Sequence, residues 1–230
     1  MKKAFPILGV LTAILLVYAL YMALVWAPTE RTMGNVQRIF YYHVPSAWTA
    51  FILFFVNFVA SVLYLIKRKP AADIVALVSA EVGVVFCTVV LITGPIWARP
   101  VWGIWWTWDM RLTSTLVLWL IYVSYLFLRR FSSSGETPLL AAALAVLGAL
   151  CVPFVYFSIW FFRTQHPQPV MGGGGSIDPR MLHVLLINWL AFSCFAYLVC
   201  WSRYRLEKLQ RDVDQAHALE SLLDPRRGVR

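Results

Sequence analysis

Charge is scarce in this chain. Only 13% of its 230 residues are Asp, Glu, Lys or Arg, about half the share usual in a soluble domain. The acidic sign is the scarcer one, 11 residues against 20 basic ones, which leaves a net charge of +9. The four cysteines, Cys87, Cys151, Cys194 and Cys200, form no C-x-x-C pair. That argues against a thiol–disulfide enzyme and against a zinc or iron–sulfur centre. Each lies inside or at the end of an apolar run and reads as a small packing residue. There is no internal repeat, and low complexity is confined to the flexible stretch Gly172–Gly175. The basic residues sit between apolar runs and in the tail rather than in one patch, so they read as topology signals and not as a nucleic-acid surface.

What the chain has instead is apolar sequence, 60% of all residues. It comes in runs near the ~20 residues a helix needs to cross a bilayer core of ~30 Å. Within that core every backbone polar group must be satisfied inside the segment, so each run must be helical. The expected fold is all-α, a polytopic membrane protein with six spans: 6–26, 46–66, 74–95, 113–128, 138–161 and 181–202. The first follows Lys2 and Lys3 but is longer than a signal-peptide core, and it reads as an uncleaved anchor. With both termini in the cytoplasm, fourteen of the 20 Lys and Arg fall on the inner side and six on the outer. The short loops holding Lys67–Lys69 and Arg129–Arg130 give the same orientation without help from the tail. Residues 1–202 then form the membrane domain, with outer loops at 27–45, 96–112 and 162–180. Residues 203–230 form a cytoplasmic tail. There Leu206, Leu209, Val213, Ala216 and Leu219 recur at spacings of three and four, which suggests an amphipathic helix ending before Pro225.

The outer loops hold the aromatic and ligating residues. Five of the 11 tryptophans lie between Trp97 and Trp108. Interfacial anchoring explains one or two of these and explains five poorly. As a short surface helix, the stretch would put Trp102, Trp105 and Trp106 on one face, a flat platform suited to a planar aromatic ligand. His43 stands at the mouth of the second span, where Pro45 suits a first helical turn. His166 follows the fifth span among Pro167 and Pro169, and His183 lies just inside the sixth. Neutral imidazole is the commonest metal ligand, and two imidazoles with aromatic walls suit a haem iron. The residues alone do not choose between His166 and His183 as the partner of His43. His217 lies in the tail, away from this side. Arg38 and Arg111 are at the depth where guanidinium would meet carboxylates, although Arg111 equally suits pairing with Asp109 or anchoring the fourth span. Glu81, inside the third span, is a functional candidate by its position, with local hydration as the plain alternative. Asn57 and Asn188 suit interhelical hydrogen bonds.

The stretch from Trp102 through Trp105, Trp106, Trp108 and Asp109 to Arg111 resembles the WWD signature of bacterial haem-handling proteins. Together with Tyr41-Tyr42-His43-Val44-Pro45 and Ser176-Ile177-Asp178-Pro179, it resembles the CcmC family of cytochrome c maturation over nearly the whole chain. The Met171–Gly175 insert is more glycine-rich than that family leads one to expect. The resemblance implies that His43 and His166 are axial ligands of haem b, and that Trp102, Trp105, Trp106, Trp108 and Asp109 form the platform. Arg38 and Arg111 would lie near the haem. It implies a bacterial inner-membrane location with the site facing the periplasm. It further implies that haem passes to the chaperone CcmE, with the ABC transporter subunits CcmA and CcmB and the small membrane protein CcmD as partners. No catalytic group is evident, so the chain reads as a transfer component rather than an enzyme. The alternatives are a CcsA- or CcmF-like haem lyase and an electron-transfer cytochrome b, both of which would carry histidines within their spans, and a plain solute permease.

Overall fold

The computed structural model describes residues 4–132, 134–162, 164, 166 and 177–223. Lys2, Lys3, Pro167, Pro169, the Met171–Gly175 insert and Pro225 lie outside the described residues. The described residues form six long helices and no strand beyond one isolated pairing of Glu30 with Gly34. All six are long and apolar enough to cross a membrane. They are α1 (Ala4–Tyr21, extended by a π turn over Met22–Trp26), α2 (Phe40–Lys67, entered through a 3-10 turn over Asn35–Ile39), α3 (Pro70–Trp102), α4 (Met110–Phe131), α5 (Thr137–Phe161) and α6 (Pro179–Leu223). Helix α2 is central, packed on α3, α5 and α6. Helix α1 leans on α6, and α4 pairs with α5.

The spans fall where the apolar runs place them, but several helices are longer than expected, α2, α3 and α6 most of all. Helix α3 has 33 residues, about 50 Å at 1.5 Å per residue, and it runs through Pro95 and Pro100 instead of stopping at 95. A proline removes one N–H and crowds one carbonyl, and here the packing of buried Trp97 carries the helix past both. Helix α2 starts at Phe40, so Pro45 stands inside it rather than in its first turn. Helix α6 continues unbroken for 45 residues into the tail.

The core is aromatic and closely packed. Phe54 of α2 stacks on Tyr122 of α4 with ring centres 3.9 Å apart and planes at 12°. Gly83 of α3 makes room for this pair, since a Cβ there would lie 2.8 Å from Phe54 Cε1. Phe54 is fully buried and has no space to retreat. Gly83→Leu should therefore lower the melting temperature of the detergent-purified protein, with overpacking costing about 1–3 kcal/mol or more. Gly9→Leu, where nothing lies within 4 Å, should leave it nearly unchanged. Equal melting temperatures would contradict this packing. Asn57 donates to the Ala76 carbonyl (2.7 Å), and Asn188 donates to Ala19 (3.3 Å) and Val184 (2.9 Å), so both asparagines join helices as expected.

Consecutive spans alternate in direction, which gathers the α1–α2, α3–α4 and α5–α6 connections at one end, the tryptophan end. At the opposite end, buried Asp73 of α3 takes both terminal nitrogens of Arg129 from α4. It also takes Arg211 from α6 at 2.9 Å. Glu81 is held by Arg203 through two contacts of 2.9 and 2.8 Å. The intramembrane carboxylate thus has a structural partner. The ion pairs of α3 reach across residue 202, so the tail is a docked continuation of α6, while Leu206, Leu209, Val213 and Leu219 stay exposed.

Candidate functional site

The α3–α4 connection sets one wall of the site. Gly103, at φ 78°, adopts the left-handed conformation that commonly closes a helix. Its N–H donates to the Arg99 carbonyl (3.0 Å), and the Arg99 guanidinium donates to the Gly103 carbonyl. Residues 104–109 are then non-helical. Asp109 caps α4, its Oδ1 accepting from the Leu112 N–H at 2.9 Å. The expected surface helix is therefore absent, because Gly103 ends α3 before Trp105 and Trp106. Trp102 at the end of α3 and Trp105 and Trp106 of the loop still come to one place.

That place is a cavity of about 540 Å³ at the tryptophan end, within the usual range for small-molecule pockets. Trp97, Trp102, Trp105 and Trp106 line it, with Trp48 and Trp189 from α2 and α6. His43, His166 and Arg111 are its main polar groups. His43 lies on α2 and is buried, with 7% of its surface exposed. Its Nδ1 is 2.9 Å from Thr93 Oγ1, and its ring meets Trp97 edge-on at 5.8 Å. His166 belongs to the α5–α6 connection. Its ring centre lies 6.4 Å from that of His43, with the planes at 34°.

Asp109 acts at one remove. Its Oδ2 accepts from Thr107 (3.1 Å) and from Thr164 (2.9 Å), and Thr164 Oγ1 accepts the His166 N–H (3.1 Å). The acidic end of the tryptophan loop is thereby tied to the segment that carries the second histidine. Arg111 donates to the Tyr156 carbonyl at 3.4 Å and has further N–H groups in hand.

The other expected site residues lie elsewhere. Arg38 donates to the carbonyls of Ala23 (2.6 Å) and Ala27 (3.3 Å), closing the end of α1, and does not line the cavity. Trp108 is 77% exposed and packs edge-on against Trp106. His183 is exposed and packs against Trp26 at 6.1 Å, away from His43. Asp178 opens α6, and the Arg180 side chain and N–H hold its carboxyl below the usual carboxylate range. Gly94, which lines the cavity, and Thr93, which stands beside His43, were not singled out in the sequence, and Trp97 was counted only as one of the clustered tryptophans. The three share one face of α3; ending the span at 95 separated Trp97 from that face, whereas nothing local marks Thr93 or Gly94 inside an apolar span.

Comparison with known proteins then decides the family. The profile of the heme exporter protein C family matches residues 1–219. The chain belongs to that family. It is 35% identical to heme exporter protein C of Bradyrhizobium diazoefficiens over 95% of this chain and 84% of that one. It is 31% identical to heme exporter protein C of Escherichia coli, over 89% and 82%. A putative cytochrome c biosynthesis ccmC-like mitochondrial protein of Arabidopsis thaliana is 34% identical, over 79% and 68%. The stretch matched to the heme exporter protein C family includes every cavity residue named above.

Proposed function

We propose that this chain holds haem b at the periplasmic face of the bacterial inner membrane and presents it to a chaperone of the CcmE type during cytochrome c maturation. The observation that carries the reading is the pair of imidazoles across an aromatic cavity. Two metal–nitrogen bonds of ~2 Å, with ~1 Å more from each nitrogen to its ring centre, place bis-imidazole ring centres about 6 Å apart. The His43 and His166 centres are 6.4 Å apart, so the spacing suits one iron. Trp97, Trp102, Trp105 and Trp106 supply apolar faces for the macrocycle. Arg111 supplies a guanidinium for a propionate. Family membership supports haem handling, and the basic loops at the opposite end support the periplasmic orientation. CcmA, CcmB and CcmD are the proposed companions.

The two ligands are held differently. His43 is fixed on a helix, whereas His166 lies between helices and is tied through Thr164 to Asp109. A holder that must also release suits this asymmetry, since one ligand keeps the haem while the other exchanges. Among the described residues lining the cavity, none pairs a nucleophile with a general base, and the role proposed is binding and transfer.

The test is haem content after purification from haem-replete cells. Gly94 lines the cavity, and a Cβ there would sit 3.4 Å from His43 Cε1. Gly94→Leu should fill the space beside the ligand and lose most of the haem while keeping the melting temperature of the haem-free protein. Haem content equal to wild type would count against this cavity as the holding site.

A further inference from the structure

His43 is surrounded on α3 by residues that no ligand search would select. Thr93 Oγ1 lies 2.9 Å from the His43 Nδ1. The Thr93 hydroxyl hydrogen already has a destination, since Oγ1 donates to the Val89 carbonyl of its own helix at 2.7 Å. The oxygen therefore meets Nδ1 as an acceptor, and Nδ1 carries the imidazole proton. Nε2 is left with its lone pair. One residue on, Gly94 leaves the Cε1 edge of the ring uncovered, at a distance where a Cβ would just touch it. One turn on, buried Trp97 closes against the ring edge-on. Thr93, Gly94 and Trp97 together form a cradle for one imidazole.

We propose that Thr93 is the positioning residue of the iron site, fixing His43 in the tautomer and ring rotation that present Nε2 to the haem iron. This rests on the haem-holding reading above. Metal-bound histidines regularly give their second N–H to a carboxylate, a carbonyl or water, which sets the tautomer and tunes the basicity of the ligand. A carboxylate partner pulls strongly on that proton and strengthens the ligand. A neutral hydroxyl that spends its own hydrogen on a helix carbonyl pulls less. Thr93 thus orients His43 firmly while leaving it a moderate ligand, which suits a haem that must leave again.

The experiment compares wild type, Thr93→Val and Thr93→Ser as full-length proteins in detergent. In haem-free samples labelled with 15N-histidine, His43 should be the Nδ1–H tautomer in wild type and in Thr93→Ser, and a mixture in Thr93→Val. On titration with hemin, Thr93→Val should bind about 10- to 100-fold more weakly. Its ferric low-spin signal should broaden or gain a high-spin fraction, and its reduction potential should shift, with Thr93→Ser restoring all three. If wild type takes up no haem, the holding reading falls and this one with it. If wild type binds haem and Thr93→Val matches it in affinity, spectrum and tautomer, the Thr93 role alone falls. Should Thr93→Val not fold, an Nε2–H tautomer of His43 in wild type would by itself overturn the proposal.

Discussion

The protein with both His43→Ala and His166→Ala should emerge from purification without low-spin haem. The single variants should differ. His166→Ala leaves His43 in its cradle of Thr93, Gly94 and Trp97, and it leaves the proposed tryptophan wall for the macrocycle in place. It should keep part of its haem, now five-coordinate and high-spin. His43→Ala removes the ligand fixed on a helix and opens a void in a buried site. The remaining imidazole sits on a connection tied through Thr164 and Asp109, so this variant should lose more haem than His166→Ala. Pyridine haemochrome content per protein, read beside the absorption spectrum, separates these cases. Wild-type content and spectrum in both single variants would remove the histidines from the iron.

Asp73→Ala should cost about 3–5 kcal/mol of stability, the largest loss from any single substitution at the opposite end of the bundle. Asp73 is 2% exposed, and the Arg129 side chain facing it is 8% exposed. Removing the carboxylate leaves that guanidinium buried without its partner, which is far worse than never having had the pair. Arg211, whose side chain is 31% exposed, should be worth much less, within the ~1 kcal/mol of surface pairs. Arg211→Ala is therefore the matched control. Thermal unfolding of the three proteins in one detergent gives the comparison. An Asp73→Ala melting temperature within error of that of Arg211→Ala would show that the buried pair does not tie α3 to α4.

Much of this architecture was legible in the sequence because the bilayer admits so few solutions. Runs of apolar residues near twenty long had to be helices, and all six were placed. Helix ends were less legible. Pro95 and Pro100 signal a break locally, but the burial of Trp97 against Phe40 and His43 overrides them. That contact joins residues far apart in the chain. At the site, His43 and the tryptophans could be picked out from their rare chemistry, whereas His166 over His183 and Arg111 as a haem neighbour came only from the family resemblance; the structure gathers His43, His166, Trp102, Trp105, Trp106 and Arg111 at one cavity. Arg38 reads the same whether it serves a ligand or the last carbonyls of α1, and only the fold separates the two. Thr93 was invisible although it lies within the expected span. A threonine inside an apolar span ordinarily just bonds back to its own helix, and this one does so. Its second bond, to His43, exists only because α2 packs on α3.

The most direct test of the central claim is the electron paramagnetic resonance spectrum of the ferric wild-type protein, purified with its haem. Iron held between His43 and His166 feels two strong-field imidazoles, and the account predicts a low-spin signal as the dominant species. A high-spin signal throughout, or a protein that carries no haem at all, would contradict it.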